Sequence, residues 1–240
     1  MTQILKIKEL ITGENMNDLS AAQFQIIEHA RDFMIQILDK ESTSHDIGHV
    51  FRVEKNVIFL QKNEGGNIFL IRLAALLHDI GTQKENERGG DHAVYGSEMA
   101  FDFLKSEQQK YPDSISDAEI SAVCDMILSH RFSSGKKPEK IEAQILQDAD
   151  RLDALGAVGI FRSIYSMGSL RMLKSLTGID KGQSKKTVYT KDPVEGFYAY
   201  MSYKPQEIPN RLNTETAKRI AKERLEFMEL FEKQLREEND

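Results

Sequence analysis

The sequence has almost no cysteine and no long run of apolar residues. Its single cysteine, Cys124, excludes an intramolecular disulfide and a cysteine-rich zinc site, so a bound metal must use imidazole and carboxylate ligands. The longest apolar run, residues 68–77, contains Arg72 and falls well short of the roughly 20 residues that a membrane span requires. The first residues also lack the apolar stretch of a secretion signal. We therefore expect a cytoplasmic protein that does not enter a membrane.

An excess of positive charge is absent as well. The chain carries 32 Lys and Arg residues against 38 Asp and Glu residues, which gives a net charge of -6. This balance does not favour binding to a nucleic-acid polymer or to an anionic membrane, so we expect a small-molecule substrate. At 240 residues, the simplest interpretation is a single domain, with a core over about residues 25–165 and a C-terminal helical part over about residues 166–240.

Strand-like alternation of apolar and polar residues is hard to find, whereas apolar residues recur at helical spacing through most of the chain. The prediction is therefore an all-α fold. Helix starts are predicted at or after Asp46, Ser116, Pro138, Pro193 and Thr214. A helix over residues 68–80 is apolar on nearly all sides, so it is predicted to lie in the protein centre. Residues 178–191, which include Lys181, Lys185 and Lys186, are predicted to form a surface loop or a lid.

Three separated segments contain residues of the types that bind metal: 44–49, 76–81 and 148–153. The strongest indication is His78 next to Asp79, at the end of a helix made mainly of Ile, Leu and Ala. A buried charge at that position is costly unless a cation or another partner compensates it. Adjacent helical residues point about 100° apart, so both side chains reach one metal only near a helix end.

The third segment places Asp150 and Asp153 on one helical stripe, together with Leu146 and Ala157. One of these carboxylates is predicted to bind metal, and the other to position water or a ligating histidine. Asp148 falls on the opposite side of the helix, where a solvent-exposed position is expected.

Together, His49, the pair His78-Asp79, and Asp150 resemble the H…HD…D signature of the HD superfamily of metal-dependent phosphohydrolases. The segments 147–160 and 129–133 are similar to those of small bacterial HD hydrolases that include nucleotide pyrophosphohydrolases. The likeness covers about residues 25–232. It implies an all-α orthogonal helical bundle, the HD-domain fold. It also implies one divalent metal ion held by His49, His78, Asp79 and Asp150.

Two imidazoles and two carboxylates suit Mn, Fe, Co, Ni or Zn better than calcium; Mg also remains a candidate, and the ligand types do not choose among these ions. A proton acceptor for the attacking water is predicted at Asp79 or Asp153. Many relatives have an acidic residue near the position of Thr82. The threonine side chain found here cannot serve as a general base. This departure leaves the assignment of the base open.

Donors for substrate phosphates are predicted at Arg52, Lys84 and Arg151, although both arginines could instead pair with surface carboxylates. His92 and His130 are predicted to contact substrate or to support the metal ligands. In dinuclear HD enzymes, extra histidines in a similar order hold a second metal.

The leading hypothesis is therefore metal-dependent hydrolysis of a phosphate ester or anhydride in a nucleotide or similar small molecule. A dinuclear phosphodiesterase or oxygenase is the second hypothesis. A non-catalytic regulatory module is the third, and the complete set of candidate ligands argues against it.

Overall fold

The computed structural model describes residues 19–39, 46–131, 138–177 and 193–239, and it includes the side chains of these residues apart from 167–177 and 193. The chain divides into two compact units, Met1–Gln147 and Asp148–Asp240. Within the described residues every regular element is a helix, which confirms the predicted all-α class. No helix among them is both long enough and apolar enough to cross a membrane. The predicted loop over residues 178–191 lies outside the described residues.

Six of the described helices belong wholly to the first unit. They are α1 (Ala21–Leu38), α2 (Ile47–Glu64), α3 (Ile68–Leu77), α4 (Thr82–Arg88), α5 (His92–Lys110) and α6 (Asp117–Ser129). The predicted start signals at Asp46 and Ser116 are confirmed. Asp46 caps α2 by accepting a hydrogen bond from the His49 N–H, and Ser116 and Glu119 form a capping box on α6.

Helix α3 is the centre of the first unit, as its apolar composition predicts. All ten of its residues are buried, and it packs against α1, α2, α5 and α6. It ends at Leu77, however, and not at Ile80 as predicted. His78 is the C-cap residue, and residues 78–81 form a turn that leads into α4. The His78-Asp79 pair therefore lies at a helix end, where neighbouring side chains can converge.

A buried ion-pair network accounts for the charge within α3. Glu54 on α2 accepts hydrogen bonds from Arg72 of α3, at 2.9 Å from Nη2, and from Arg31 of α1, at 2.8 Å from Nη2. All three side chains are at most 3% exposed. Because each charge has a partner inside the unit, these residues join three helices, and we assign them a structural role.

Helix α7 (Ile141–Leu152) crosses the boundary between the units. The predicted start at Pro138 is wrong by three residues. The first backbone bond into the helix runs from the Gln144 N–H to the Lys140 carbonyl, so residues 138–140 precede the helix. The Gln144 side chain donates a hydrogen bond to the Pro138 carbonyl at 2.9 Å, which holds that segment against the first turn.

The remaining described helices lie in the second unit. They are α8 (Gly156–Thr177), α9 (Pro193–Met201), α10 (Lys204–Glu207), a 3-10 turn (Pro209–Arg211) and α11 (Glu215–Asn239). Helix α8 packs against α9 and α11. The predicted starts at Pro193 and after Thr214 are confirmed, and the Thr214 hydroxyl accepts a hydrogen bond from the Ala217 N–H at 3.3 Å.

Candidate metal centre

The turn after α3 positions His78 and Asp79. The Asp79 carbonyl accepts hydrogen bonds from the Thr82 N–H at 3.0 Å and from the Thr82 hydroxyl at 2.6 Å, which fixes the turn. Gly81 lies so close to the backbone of His92 and Gly96 that a Cβ atom at this position would overlap with both. The turn therefore lies directly against the first residues of α5.

His49, in the first turn of α2, is brought to the same point. Its Nε2 lies 3.3 Å from the Nε2 of His78 and 3.4 Å from the Oδ2 of Asp79. The His78 Nε2 lies 3.2 Å from that same oxygen. All three side chains are at most 1% exposed. The structure thus brings together three of the four residues that the resemblance implies as ligands.

The spacing of these three donor atoms suits one metal ion. Two ligand atoms bound at about 2.1 Å to one ion stand roughly 3.0 Å apart in octahedral geometry and roughly 3.4 Å apart in tetrahedral geometry. The observed separations of 3.2, 3.3 and 3.4 Å fall in this range. Imidazole and carboxylate donors also match the preferences of divalent transition metals. The residues present therefore fit the metal that the sequence predicts.

The tautomer of His78 agrees with a ligand role. Its Nδ1 lies 2.8 Å from the Ala75 carbonyl oxygen. A carbonyl can only accept, so Nδ1 carries the proton and the Nε2 lone pair is directed at Asp79 and His49. Such a backbone acceptor behind a ligating imidazole fixes its orientation.

A second pair of histidines faces the other oxygen of Asp79. The Nε2 atoms of His92 and His130 each lie 3.7 Å from Asp79 Oδ1. His92 is the first residue of α5, and His130 is the C-cap residue of α6. Their Nδ1 atoms donate to the Glu85 carboxylate at 2.8 Å and to the Ile127 carbonyl at 2.6 Å. Asp79 therefore has two imidazoles on each of its two carboxylate oxygens.

Burial affects the titration of His92, which is 8% exposed. Loss of hydration lowers the pKa of His92 below its usual value, while the charges of Asp79 and Glu85 oppose this shift. The net shift favours the neutral form of His92, which has one donor nitrogen and one acceptor nitrogen.

Asp150, Arg151 and Asp153 belong to the second unit. Asp150 lies in the last turn of α7 and is half-buried. The predicted stripe is interrupted, because α7 ends at Leu152 and Asp153 follows it in a turn. Asp153 is 2% exposed, and its Oδ2 is 2.5 Å from Arg162 Nη1. Arg151 is buried and donates a hydrogen bond to the Arg211 carbonyl, and burial lowers its pKa.

The expectation for Asp148 is wrong. Its side chain is fully buried and not exposed to solvent. It accepts hydrogen bonds from the backbone N–H groups of Asn213 and Thr214, at 2.9 and 2.8 Å. It also accepts from the Asn213 amide and the Thr214 hydroxyl, at 2.9 and 2.8 Å. Asp148 thus holds the segment that leads into α11, a contact between residues 65 positions apart that helical spacing cannot reveal.

The two predicted phosphate donors of the first unit lie on different helices. Arg52 is one turn after His49 on α2 and is half-buried. Lys84 lies on α4, also half-buried, with its Nζ 6.0 Å from the centre of the Tyr95 ring. Sequence reasoning did not single out Glu85, the neighbour of Lys84, which holds His92. Its position one turn after Thr82 was the available signal.

Comparison with known proteins identifies relatives of the chain. A family model described as "HD domain" matches residues 45–155. The protein YpgQ of Bacillus subtilis (strain 168) is 31% identical over 210 residues, which cover 87% of this chain and 91% of that protein.

Solved structures agree with the sequence match. The crystal structure of B. subtilis YpgQ in complex with ADP has a TM-score of 0.65 at 26% identity, and the match covers 90% of this chain and 96% of that chain. The crystal structure of a predicted HD superfamily hydrolase from an uncultured Thermotogales bacterium has a TM-score of 0.62 at 27% identity, and the match covers 89% and 92% of the two chains.

Proposed function

Because this chain belongs to the HD superfamily of hydrolases, we propose that it hydrolyses a phosphate ester or anhydride in a nucleotide or similar small phosphorylated molecule. The single observation that carries the proposal is the convergence of His49, His78 and Asp79 at donor separations of 3.2 to 3.4 Å. Asp150 is proposed as the fourth ligand, on the resemblance to the HD signature. The complex of YpgQ with ADP supports a nucleotide as the substrate class.

The proposed cofactor is one divalent ion, and Mn, Fe, Co, Ni, Zn and Mg are candidates. When bound, such an ion polarises a phosphoryl oxygen and lowers the pKa of a bound water toward about 7. The chain supplies the imidazoles of His49 and His78 and the carboxylate of Asp79. Burial of these three side chains excludes bulk water around them and strengthens their electrostatic interactions with charged groups.

Asp79 is the preferred proton acceptor of the two candidates. Asp153 Oδ2 is already paired with the Arg162 guanidinium at 2.5 Å, so this oxygen would have to give up that contact to accept a proton. Asp79 presents Oδ1 toward His92 and His130, whose Nε2 atoms are acceptors while these imidazoles are neutral. A proton that reaches one of these nitrogens makes it a donor to a phosphate oxygen.

Arg52, Lys84 and Arg151 remain the proposed sources of positive charge for the substrate phosphates. Arg52 and Lys84 are half-buried. Arg151 is more deeply buried, and one of its donors is already used by the Arg211 carbonyl. We therefore expect Lys84 to contribute more to substrate affinity than Arg151.

The decisive experiment measures metal content per chain in protein purified without chelator, together with phosphate and pyrophosphate release from a panel of nucleotides. We expect about one metal per chain, as the closer spacing of the His49, His78 and Asp79 donor atoms favours, and turnover that His78→Ala abolishes. His29→Ala is the matched control, because His29 pairs with Glu107 and its side chain is 38% exposed. Absence of both metal and turnover would exclude the proposed activity and favour a non-catalytic module.

A second candidate is a dinuclear phosphodiesterase or oxygenase, and one observation favours it. Asp79 Oδ1, His92 Nε2 and His130 Nε2 form a second group of donor atoms, all within 4.8 Å of one another. The separations of 3.7 Å between Asp79 and each imidazole are wider than in the first group. This difference favours one metal. A measured content of two metals per chain, reduced to one by His130→Ala, would reverse that preference.

A further inference from the structure

A carboxylate that the family signature does not include lies behind His92. Helix α4 begins at Thr82, and Glu85 follows one turn later. The Oε2 atom of Glu85 is 2.8 Å from Nδ1 of His92, and the Glu85 side chain is 27% exposed. A carboxylate at this distance accepts the Nδ1 proton, because an ionised carboxyl group has no proton to donate.

Glu85 is itself held in place by Arg131. The Oε1 atom of Glu85 is 3.4 Å from Arg131 Nη2, and Nη1 of the same guanidinium is 2.9 Å from Asp91. Asp91 caps α5 by accepting a hydrogen bond from the Ala93 N–H at 2.9 Å. Burial opposes ionisation of Asp91, but the Ala93 N–H and Arg131 together hold its pKa below the usual range. These contacts connect α4, the start of α5 and the residue after His130.

The same residues do not form a metal site of their own. Glu85, Asp91 and His92 lie close enough together to hold an ion. Both carboxylates, however, are already engaged by the Arg131 guanidinium, and the Nδ1 of His92 carries a proton. A cation at this point would have to displace the Arg131 guanidinium and the Nδ1 proton of His92. We therefore assign these residues a role in holding His92 and not in binding metal.

We propose that Glu85 is a positioning residue for His92. Its carboxylate holds the proton of His92 on Nδ1 and thereby keeps the Nε2 lone pair directed at Asp79 Oδ1. The inference that this orientation serves hydrolysis rests on the function proposed above.

Removal of Glu85 has a defined structural consequence. The Nε2 of His92 faces Asp79 Oδ1 at 3.7 Å. Without an acceptor at Nδ1, the proton gains most by moving to Nε2, where it can be donated to the Asp79 carboxylate. The imidazole would then present a donor, and no longer a lone pair, to the Asp79 side of the cluster.

The first test is the tautomer of His92, measured by long-range 1H–15N correlation NMR on the full-length, metal-free protein. The pH is kept well above about 6.5, the ordinary pKa of an imidazole. The spectrum of His92→Gln assigns the signal. We expect the Nδ1–H form in the unmodified protein and in Glu85→Gln, which keeps an oxygen acceptor, and the Nε2–H form in Glu85→Ala. An unchanged His92 signal in Glu85→Ala would overturn the proposal.

Glu87→Ala is the matched control for that test. Glu87 lies on the same helix, is exposed and accepts a hydrogen bond from Gln83 at 2.8 Å, so its loss should leave His92 in the Nδ1–H form. Alanine is the best helix former, which keeps the risk of misfolding low in both variants, and circular dichroism checks this.

The second test links the tautomer to turnover. Loss of a residue that orients a metal-ligating histidine costs about 10- to 100-fold in metal affinity or activity, and we take the same range for His92 beside Asp79. We expect Glu85→Ala to lower kcat by an amount in this range, with Glu85→Gln restoring most of it and Glu87→Ala unchanged. A tautomer shift with unchanged kcat would overturn the positioning role. If the unmodified protein shows no turnover, the proposed function fails, while the NMR result still decides whether Glu85 controls His92.

Discussion

Asp79 in the first unit and Asp148 in the second are both almost completely buried carboxylates, but they have opposite surroundings. The oxygens of Asp79 face four imidazole nitrogens at 3.2 to 3.7 Å. The oxygens of Asp148 accept hydrogen bonds from N–H and O–H groups of Asn213 and Thr214 at 2.8 to 3.1 Å. Burial by itself therefore does not identify a functional carboxylate.

The two carboxylates differ in whether the protein itself supplies enough hydrogen-bond donors for them. Asp148 is solvated by the chain's own donors, as a helix cap is, although burial still raises its pKa above the usual value. Asp79 lies among nitrogen atoms of which His78 Nε2, at least, presents a lone pair. A carboxylate and lone pairs that converge on one point repel one another unless a cation joins them. The first arrangement favours folding, and the second favours metal binding.

The largest expected effect comes from Asp79→Asn. We expect metal binding to be lost and turnover to fall by more than the roughly 100-fold that loss of a supporting hydrogen bond costs. The metal-free variant should be at least as stable as the unmodified protein, because a neutral amide removes a buried charge. Metal analysis, kinetics and thermal unfolding with and without added Mn measure these effects. A variant that keeps its metal would contradict the assignment of Asp79.

A second prediction concerns Asp150, the proposed ligand from the second unit. Asp150→Asn should weaken metal affinity by at least about 10-fold, because a neutral amide replaces a negatively charged ligand. Isothermal titration of metal-free protein measures the change. Asp125→Asn is the control, because Asp125 is an exposed aspartate on α6. Equal affinities for the two variants would remove Asp150 from the ligand set.

Asp148→Ala should act on stability and leave metal binding intact. The substitution leaves the donors of Asn213 and Thr214 without their acceptor, so we expect the free energy of unfolding to fall by about 2 kcal/mol. Asp148→Asn keeps an oxygen acceptor and should recover part of this loss. Urea unfolding of the metal-free protein measures both. Loss of metal affinity in Asp148→Ala, at a temperature where the variant is folded, would contradict the purely structural role assigned to Asp148.

The sequence predicts the elements around the metal ligands well because those signals are local. Apolar spacing predicts α3, and Asp46 predicts the start of α2. The adjacent residues His78 and Asp79 predict a helix end at which both side chains can reach one metal. Asp148 was misjudged because a helical wheel separates two sides of a helix without telling which side meets another segment. Glu85 was missed for a related reason. It lies in a charged stretch, and its role depends on contacts with His92, at the start of α5, and with Arg131, which follows the end of α6.

The smallest expected effect is the pH dependence of stability due to His92. Burial lowers its pKa in the folded state, so the folded protein binds fewer protons than the unfolded chain as the pH falls below about 6.5. Its contribution to stability is therefore present above that pH and is lost as the pH falls through the folded-state pKa. In His92→Gln, unfolding free energies of metal-free protein should fall less steeply over this range. His29→Gln, a substitution of a partly exposed histidine, controls for the loss of one titrating group. If His92→Gln and the unmodified protein show the same slope, the imidazole of His92 titrates as it would in solvent, and the Asp79 cluster is more open to water than its burial indicates.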